Sequence, residues 1–187
     1  MTRIYLGVGS NTDREHHLRR GLDALEQLLG PLQLSPVFES DAVGILATRF
    51  YNMVVAADCS LELGDLNAAL KAIEAACGRR EQSVAGRITL DIDILLYGDL
   101  FGRHEGVLLP RPEIVRNAFV LWPLALLAPE VQLPGSEQSI AGLGSGWRGG
   151  QKVWPVAFDW RGQALTPELL LRQGLPAADP TPGSGAA

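Results

Sequence analysis

Asp91 and Asp93 sit one residue apart inside Ile88-Thr89-Leu90-Asp91-Ile92-Asp93-Ile94-Leu95-Leu96-Tyr97, a run with period-2 apolar patterning. Residues two apart on a strand project from one side. Thr89, Asp91 and Asp93 therefore share a face, while Ile88, Leu90, Ile92 and Ile94 face the core. The aspartate Cα atoms are then about 6.6 Å apart, at a rise of about 3.3 Å per residue. Aspartate forms strands poorly, and neighbouring carboxylates repel. A divalent cation removes the repulsion. Mg2+ takes one or two carboxylates plus substrate phosphates, so the pair suits a magnesium–nucleotide site. The plainer alternative is two carboxylates facing water on an open sheet. An EF-hand loop is excluded, because the sixth position counted from Asp91 is Leu96 rather than glycine.

Arginines flank this run. Arg79 and Arg80 open the preceding loop and Arg87 closes it, while Arg111 and Arg116 lie further on. The guanidinium is always charged, and its planar fork matches phosphate oxygens. Such a loop beside a carboxylate strand could clamp a polyphosphate; the alternative is solvated surface arginine. Glu74 either pairs with one of these arginines or lies on a polar helix face. A third set is Phe50-Tyr51-Asn52 and Phe119. A flat heterocycle could stack between the two phenylalanines with Asn52 bonding its edge, or both rings could be ordinary core.

Other chemistries find little support. Gly7-x-Gly9 lacks the third glycine of a dinucleotide fingerprint, since position 12 is Thr, and a Walker A sequence is absent. His16, His17 and His104 form no ligand cluster, and Cys59 and Cys77 have no metal-ligand spacing. The net charge of −5 disfavours a general nucleic-acid binder, which needs excess Lys and Arg. The longest apolar runs are far shorter than the roughly 20 residues of a membrane span. With no secretory leader pattern and only 2 cysteines in 187 residues, a cytoplasmic, thiol-reduced protein is expected.

The positioning elements can be read along the chain. Ile4 to Val8 reads as a buried strand ending in a Gly-Ser-Asn turn. Thr12-Asp13-Arg14-Glu15 has capping-box form. Leu18, Leu22, Leu25 and Leu29 make one helix face, which Gly30-Pro31 stops. Leu32 to Phe38 and Phe50 to Ala57 read as strands. Leu66, Leu70, Ile73 and Cys77 mark a second helix, before the aspartate strand. A loop or hairpin covers 98–110, a helical piece 112–117, and a third helix 119–127. The order β-α-β-β-α-β predicts an α+β fold with a ferredoxin-like core, an antiparallel sheet with helices packed on one face, plus C-terminal additions. The expected division is a domain over 1–141, an extension over 142–173 packed on or linked to it, and a disordered tail over 174–187. Gly142 to Gly150 reads as a flexible connector; 153–171 could form a strand and short helix, and Trp147, Trp154 and Trp160 read as packing residues.

Several segments occur together in a recognisable order over about residues 1–135: Tyr5-Leu6-Gly7-Val8-Gly9-Ser10-Asn11, Phe38-Glu39-Ser40 through Val43-Gly44, Phe50-Tyr51-Asn52, Ile73-Glu74 with Gly78-Arg79, Thr89 to Leu95 with Tyr97-Gly98, and Ala118 to Leu124 ending in Ala128-Pro129-Glu130. In these the chain resembles the 6-hydroxymethyl-7,8-dihydropterin pyrophosphokinases of the folate pathway. The resemblance implies transfer of pyrophosphate from ATP to the pterin hydroxymethyl group, with release of AMP. It implies two Mg2+ ions on Asp91 and Asp93, and a pterin between Phe50 and Phe119. Asn52 and the backbone near Ser40, Val43 and Gly44 would hold the pterin edge. Glu74, Arg79, Arg111 and Arg116 would face ATP, and Arg79 and Arg87 would serve catalysis. The expected partners are these small molecules, with no nucleic acid and no membrane, and the protein is expected to be a monomer.

The chain departs from that family's pattern in three places. The family's arginine three residues ahead of the first aspartate is Ile88 here, and Arg87 stands one residue early, a slip that reverses the face of a strand. Arg111 replaces a histidine, and Asn117 an arginine, with Arg116 displaced by one. The loop 79–87 is short and has no tryptophan. Slower turnover or weaker nucleotide affinity is expected. The alternative is a weakened or inactive paralogue that binds pterin or nucleotide; an Asp-x-Asp nucleotide-sugar transferase is a third reading, disfavoured by the element order.

Overall fold

The computed structural model describes residues 1–41, 48–79 and 86–175. In chain order the elements are β1 (Thr2–Ser10), α1 (Arg14–Leu29), β2 (Gln33–Leu34), β3 (Val37–Ser40), β4 (Phe50–Cys59), α2 (Leu63–Ala76), β5 (Asp91–Tyr97), β6 (Gly102–His104), β7 (Val107–Leu109), α3 (Glu113–Arg116), α4 (Ala118–Leu127), α5 (Ile140–Ser145), β8 (Val153–Val156), β9 (Asp159–Trp160), β10 (Gln163–Ala164) and α6 (Glu168–Gln173).

The main sheet runs β5-β1-β4-β3-β8, with β2 also on β4, and its neighbouring strands are antiparallel. Helix α1 carries the chain from β1 past β4 to β3, and α2 carries it from β4 past β1 to β5. These two interleaved split βαβ units give the ferredoxin-like core. β1 pairs along its whole length with β4, from Thr2 opposite Cys59 to Ser10 opposite Tyr51. It sets the register of β4 and β5, and β4 in turn pairs with β2 and β3.

Helices cover both faces of the sheet, not one. On the first face Leu18, Leu22 and Leu25 of α1 and Leu66 and Leu70 of α2 pack on Ile4, Leu6, Val8, Val55, Ile92 and Ile94. On the second, Leu121 and Leu124 of α4 pack on Tyr5, Val54, Ala56, Leu95 and Leu96. β4 explains the difference. Asn52 to Ala57 are consecutive buried residues, the pattern of a strand buried on both sides rather than one. Helix α4 is apolar almost all round because α5 also packs on it. Each fully buried leucine contributes about 1.5–3 kcal/mol.

A bulge lets β5 serve both layers. Tyr5 faces Leu96 and Leu6 faces Ile94, which leaves Leu95 without a partner on β1. The extra residue resets the alternation, so Leu95 and Leu96 both join the α4 side. The strand also begins at Asp91 rather than Ile88. Ser35-Pro36 splits the predicted strand 32–38 into β2 and β3. Proline has no N–H to give the ladder, and Ser35 bonds Val54 through its backbone N–H at 2.9 Å and its Oγ at 2.8 Å.

Two local expectations fail. The capping box does not form: α1 starts at Arg14, Asp13 at its N-cap makes no side-chain cap bond, and the Thr12 hydroxyl donates to Asn11 Oδ1 at 3.0 Å. The glycine-rich stretch from 142 is not wholly a connector, since α5 runs to Ser145 behind Ser139, whose Oγ caps Gly142 N–H at 3.1 Å. Beyond it β8 joins the main sheet, with Val153 opposite Ser40. Trp160 is buried in the first core and its Nε1 donates to Asp23 at 3.0 Å, while Trp147 packs on the second.

Candidate active site

β1 and β5 place the two aspartates beside glycines: Asp91 lies opposite Gly9 and Asp93 opposite Gly7. Glycine there leaves room over the sheet. A Cβ on Gly9 would stand 3.0 Å from Asn52 Oδ1, and one on Gly7 3.3 Å from Leu95. The space is a cavity of about 280 Å³ bounded by Gly7 and Gly9 of β1, Ser40 of β3, Phe50 and Asn52 of β4, Asp91 and Asp93 of β5, and Asn117 and Phe119 at the start of α4. Both aspartates thus point to one side and into one cavity. The Gly7-x-Gly9 pair is its floor.

The amide and aromatic set divides between two walls. Asn52 is buried, and its Nδ2 donates to Ser40 Oγ at 2.9 Å. This bond ties the ends of β3 and β4 and leaves Asn52 Oδ1 near the glycine floor. Phe50 stands on the same wall, and Phe119 enters from α4.

The carboxylates do not stand alone. Arg79 forms an ion pair with Asp91, lies 3.2 Å from Glu74 Oε1 and donates to the Leu90 carbonyl at 3.3 Å. Burial works against the Arg79 cation, but Asp91, Glu74 and Asp93 outweigh it and hold the guanidinium above its usual value. Arg111 Nη2 lies 3.1 Å from Asp93. Its backbone N–H donates to the Leu95 carbonyl at 2.9 Å, which fixes where the side chain starts. Arg111 Nε is buried without a hydrogen-bond acceptor, 3.4 Å from Glu113 Oε2. Even so, burial first and then the Asp91 charge push the Asp93 carboxyl up to about 6. Two acids that resist sharing a half-buried site suit a dication completed by phosphate oxygens. Among the described residues there is no cluster of three or more acidic, His or Cys side chains that could hold a metal unaided.

The other predicted site residues fall in several places. Glu74 is 3% exposed and absent from the cavity wall. It lies behind β5, where Oε1 accepts the Ile92 N–H at 2.7 Å and both its oxygens receive Lys71 Nζ, at 3.1 and 3.2 Å. Arg87 and Arg116 are exposed and off the wall. Arg87 precedes the strand, so the alternation argument does not govern it, and Ile88, expected in the core, lines the cavity instead. Val43 and Gly44 lie outside the described residues. Sequence reasoning missed Asp41 and Glu113, both on the wall. It also missed the role of Asn11, whose side chain donates to the Gly86 carbonyl at 2.6 Å and accepts the Ile88 N–H at 2.7 Å. The Asn after Gly-x-Gly-Ser was visible, but its partners lie more than seventy residues away.

Comparison with known proteins finds relatives over most of the chain. A family model described as 7,8-dihydro-6-hydroxymethylpterin-pyrophosphokinase (HPPK) matches residues 5–129. The 2-amino-4-hydroxy-6-hydroxymethyldihydropteridine pyrophosphokinase of Pseudomonas aeruginosa is 39% identical over 136 residues, covering 71% of this chain and 84% of that protein. The protein of the same name from Aquifex aeolicus is 35% identical over 136 residues, covering 72% and 85%. Among solved structures, an HPPK-DHPS in complex with substrates superimposes with a TM-score of 0.60 at 14% identity, over 78% of this chain and 44% of that one. A Plasmodium falciparum HPPK-DHPS triple mutant gives 0.61 at 13%, over 76% and 42%. The chain spans less than half of those two structures, which bear on its fold alone.

Proposed function

The chain belongs to the 7,8-dihydro-6-hydroxymethylpterin-pyrophosphokinase family, and we propose that its cavity is where pyrophosphate passes from ATP to 6-hydroxymethyl-7,8-dihydropterin. The activity is that of an ATP-dependent diphosphotransferase in folate synthesis. The observation that carries the reading is the convergence of Asp91 and Asp93 on a cavity that is also lined by Phe50, Asn52 and Phe119.

In the reaction the pterin hydroxyl oxygen attacks the β-phosphorus of ATP. The bond from that phosphorus to the α,β-bridging oxygen breaks, AMP leaves with the oxygen, and the hydroxyl proton is released. Such transfers depend mainly on positioning and charge neutralisation. Asp91 and Asp93 would hold Mg2+, which supplies charge neutralisation between carboxylates and phosphates. Phe50 and Phe119 would hold the pterin faces, and Asn52, with the backbone near Ser40, Val43 and Gly44, its edge. Arg79 and Arg111 already lie beside the two carboxylates, where their charge would offset that of the phosphates. Arg87 and Arg116 would meet the outer part of ATP, and Glu74 would act through Arg79 and β5.

Residues 1–141 carry the transferase groups in this reading, and 142–173 continue the same body through α5 and β8. One copy of the chain contains every group named, so a monomer suffices. None of the described helices is long and apolar enough to cross a membrane. The cytoplasm, where ATP is supplied, is the compartment assigned. The test is to mix the protein with Mg2+, ATP and the hydroxymethyl dihydropterin and follow AMP. AMP formation that Asp93→Ala abolishes is expected. Tight pterin binding with no AMP would replace the enzyme by a binding module.

A further inference from the structure

We infer that the segment following the family-matched region braces the substrate cavity, and that Gln151 is a positioning residue for Asn117 and Phe119. The inference rests on the pterin reading of that cavity and deepens it.

The first N–H groups of a helix have no partner within it. At α4 the N-cap residue, Asn117, makes no side-chain cap bond. A residue 33 positions away takes over: Gln151 Oε1 accepts the Ala118 N–H at 2.7 Å. The same carboxamide donates through Nε2 to Asn117 Oδ1 at 3.1 Å. A glutamine side chain offers one acceptor and two donor hydrogens in one plane, so Gln151 fixes both the helix start and the Asn117 side chain. Asn117 and Phe119 line the cavity; Gln151 does not.

Two residues on, Val153 begins β8 and pairs with Ser40. Ser40 accepts from Asn52, which stands with Phe50 on the opposite wall. The stretch 151–153 therefore touches both walls at once, one through a side chain and the other through the β ladder. It is tied from outside, where Trp154 Nε1 donates to Glu39 Oε1 at 3.1 Å and the Arg49 guanidinium lies 4.7 Å from the Trp154 ring centre. Stacking of a flat ring between aromatic side chains depends on their separation and offset. The brace sets that separation. All of it lies beyond residue 129, where the family match ends.

The test uses the full chain. Binding of 7,8-dihydro-6-hydroxymethylpterin is measured with Mg2+ and α,β-methylene-ATP, which blocks transfer, and steady-state KM and kcat are measured with ATP. Gln151→Met keeps length and removes both hydrogen bonds. It is expected to raise the pterin Kd and KM about five- to tenfold, the size of one or two lost hydrogen bonds, while the ATP KM changes less than about twofold. Gln151→Glu still accepts from Ala118, and accepts from Asn117 once that amide turns over, so it is expected to restore pterin affinity. An unchanged pterin Kd in Gln151→Met overturns the inference, and so do equal losses for pterin and ATP, or a loss that Gln151→Glu does not recover. Phe50→Ala and Phe119→Ala separate the two readings. If they leave pterin binding intact, the cavity assignment fails. If they weaken it and Gln151→Met does not, only the brace fails.

Discussion

Glu74 Oε1 accepts the backbone N–H of Ile92 at 2.7 Å, and Ile92 is the residue between the two aspartates. β5 is an end strand of the main sheet, with β1 on one side only. The buried carboxylate on α2 supplies what the ladder lacks there, and the same oxygen lies 3.2 Å from Arg79. Helix, strand and arginine are thereby registered to one another. Glu74→Ala is expected to cost about 2–4 kcal/mol, because it strands a buried N–H and removes one partner of an ion-pair network. Glu74→Gln keeps an acceptor and is expected to cost less. Urea unfolding of the two variants measures both, and equal stability of Glu74→Ala and the parent would contradict this role.

The cavity wall carries Asp41, Asp91, Asp93 and Glu113 against Arg111. A triphosphate meets more negative than positive charge there, so nucleotide affinity is expected to depend on a divalent cation. Titration calorimetry with ATP in Mg2+ and in EDTA checks this. Equal affinity in both would mean that arginines alone hold the phosphates.

Asp93 titrates higher in the fold, at about 6, than its ordinary 3.8, chiefly through burial and then through Asp91. The folded state therefore holds a proton that the unfolded chain has released. This contribution is full below about pH 4 and is lost as pH rises through about 6. Asp93→Asn escapes the loss. In EDTA at pH 7.5 it is expected to be more stable than the parent by about 1–2 kcal/mol, although inactive, with the gain vanishing at pH 4. A lower Tm for the variant at pH 7.5 would be the contrary result.

Gly9→Ala puts a Cβ 3.0 Å from Asn52 Oδ1. Asn52 must then shift, and its bond to Ser40 with it. The pterin KM is expected to rise about tenfold or more, the loss of a buried hydrogen bond, with a stability loss of about 1–3 kcal/mol from overpacking. Kinetics and thermal melts on the same sample separate the two effects.

Local patterning was enough to find most of the fold. The 4-3-4 spacing of Leu18, Leu22, Leu25 and Leu29 gave α1, and the alternation around Asp91 and Asp93 gave their common face. That alternation misled at Ile88, and it says nothing of the bulge near the far end. Ile88 lies before the strand and reaches the cavity, and the bulge at Leu95 turns Leu96 to the second layer. Neither shows in periodicity, because a bulge changes pairing and not residue type. The second helical layer was written in β4, where Val54-Val55-Ala56-Ala57 has no polar face. In the site, aspartates and aromatics were legible because their types are costly or conspicuous where they stand. Asn11 and Gln151 act through partners distant in sequence, which one sequence cannot pair.

The position of β8 has a consequence outside catalysis. An end strand offers unpaired N–H and C=O groups on which another chain can dock. Here β3 is shielded by four residues of the protein's own chain, and Pro155 stands among them. Proline breaks the outward donor row, and so short a strand gives an incoming strand little to follow. A chain cut before Val153 would lay β3 bare, and self-association through that margin is its foreseeable liability.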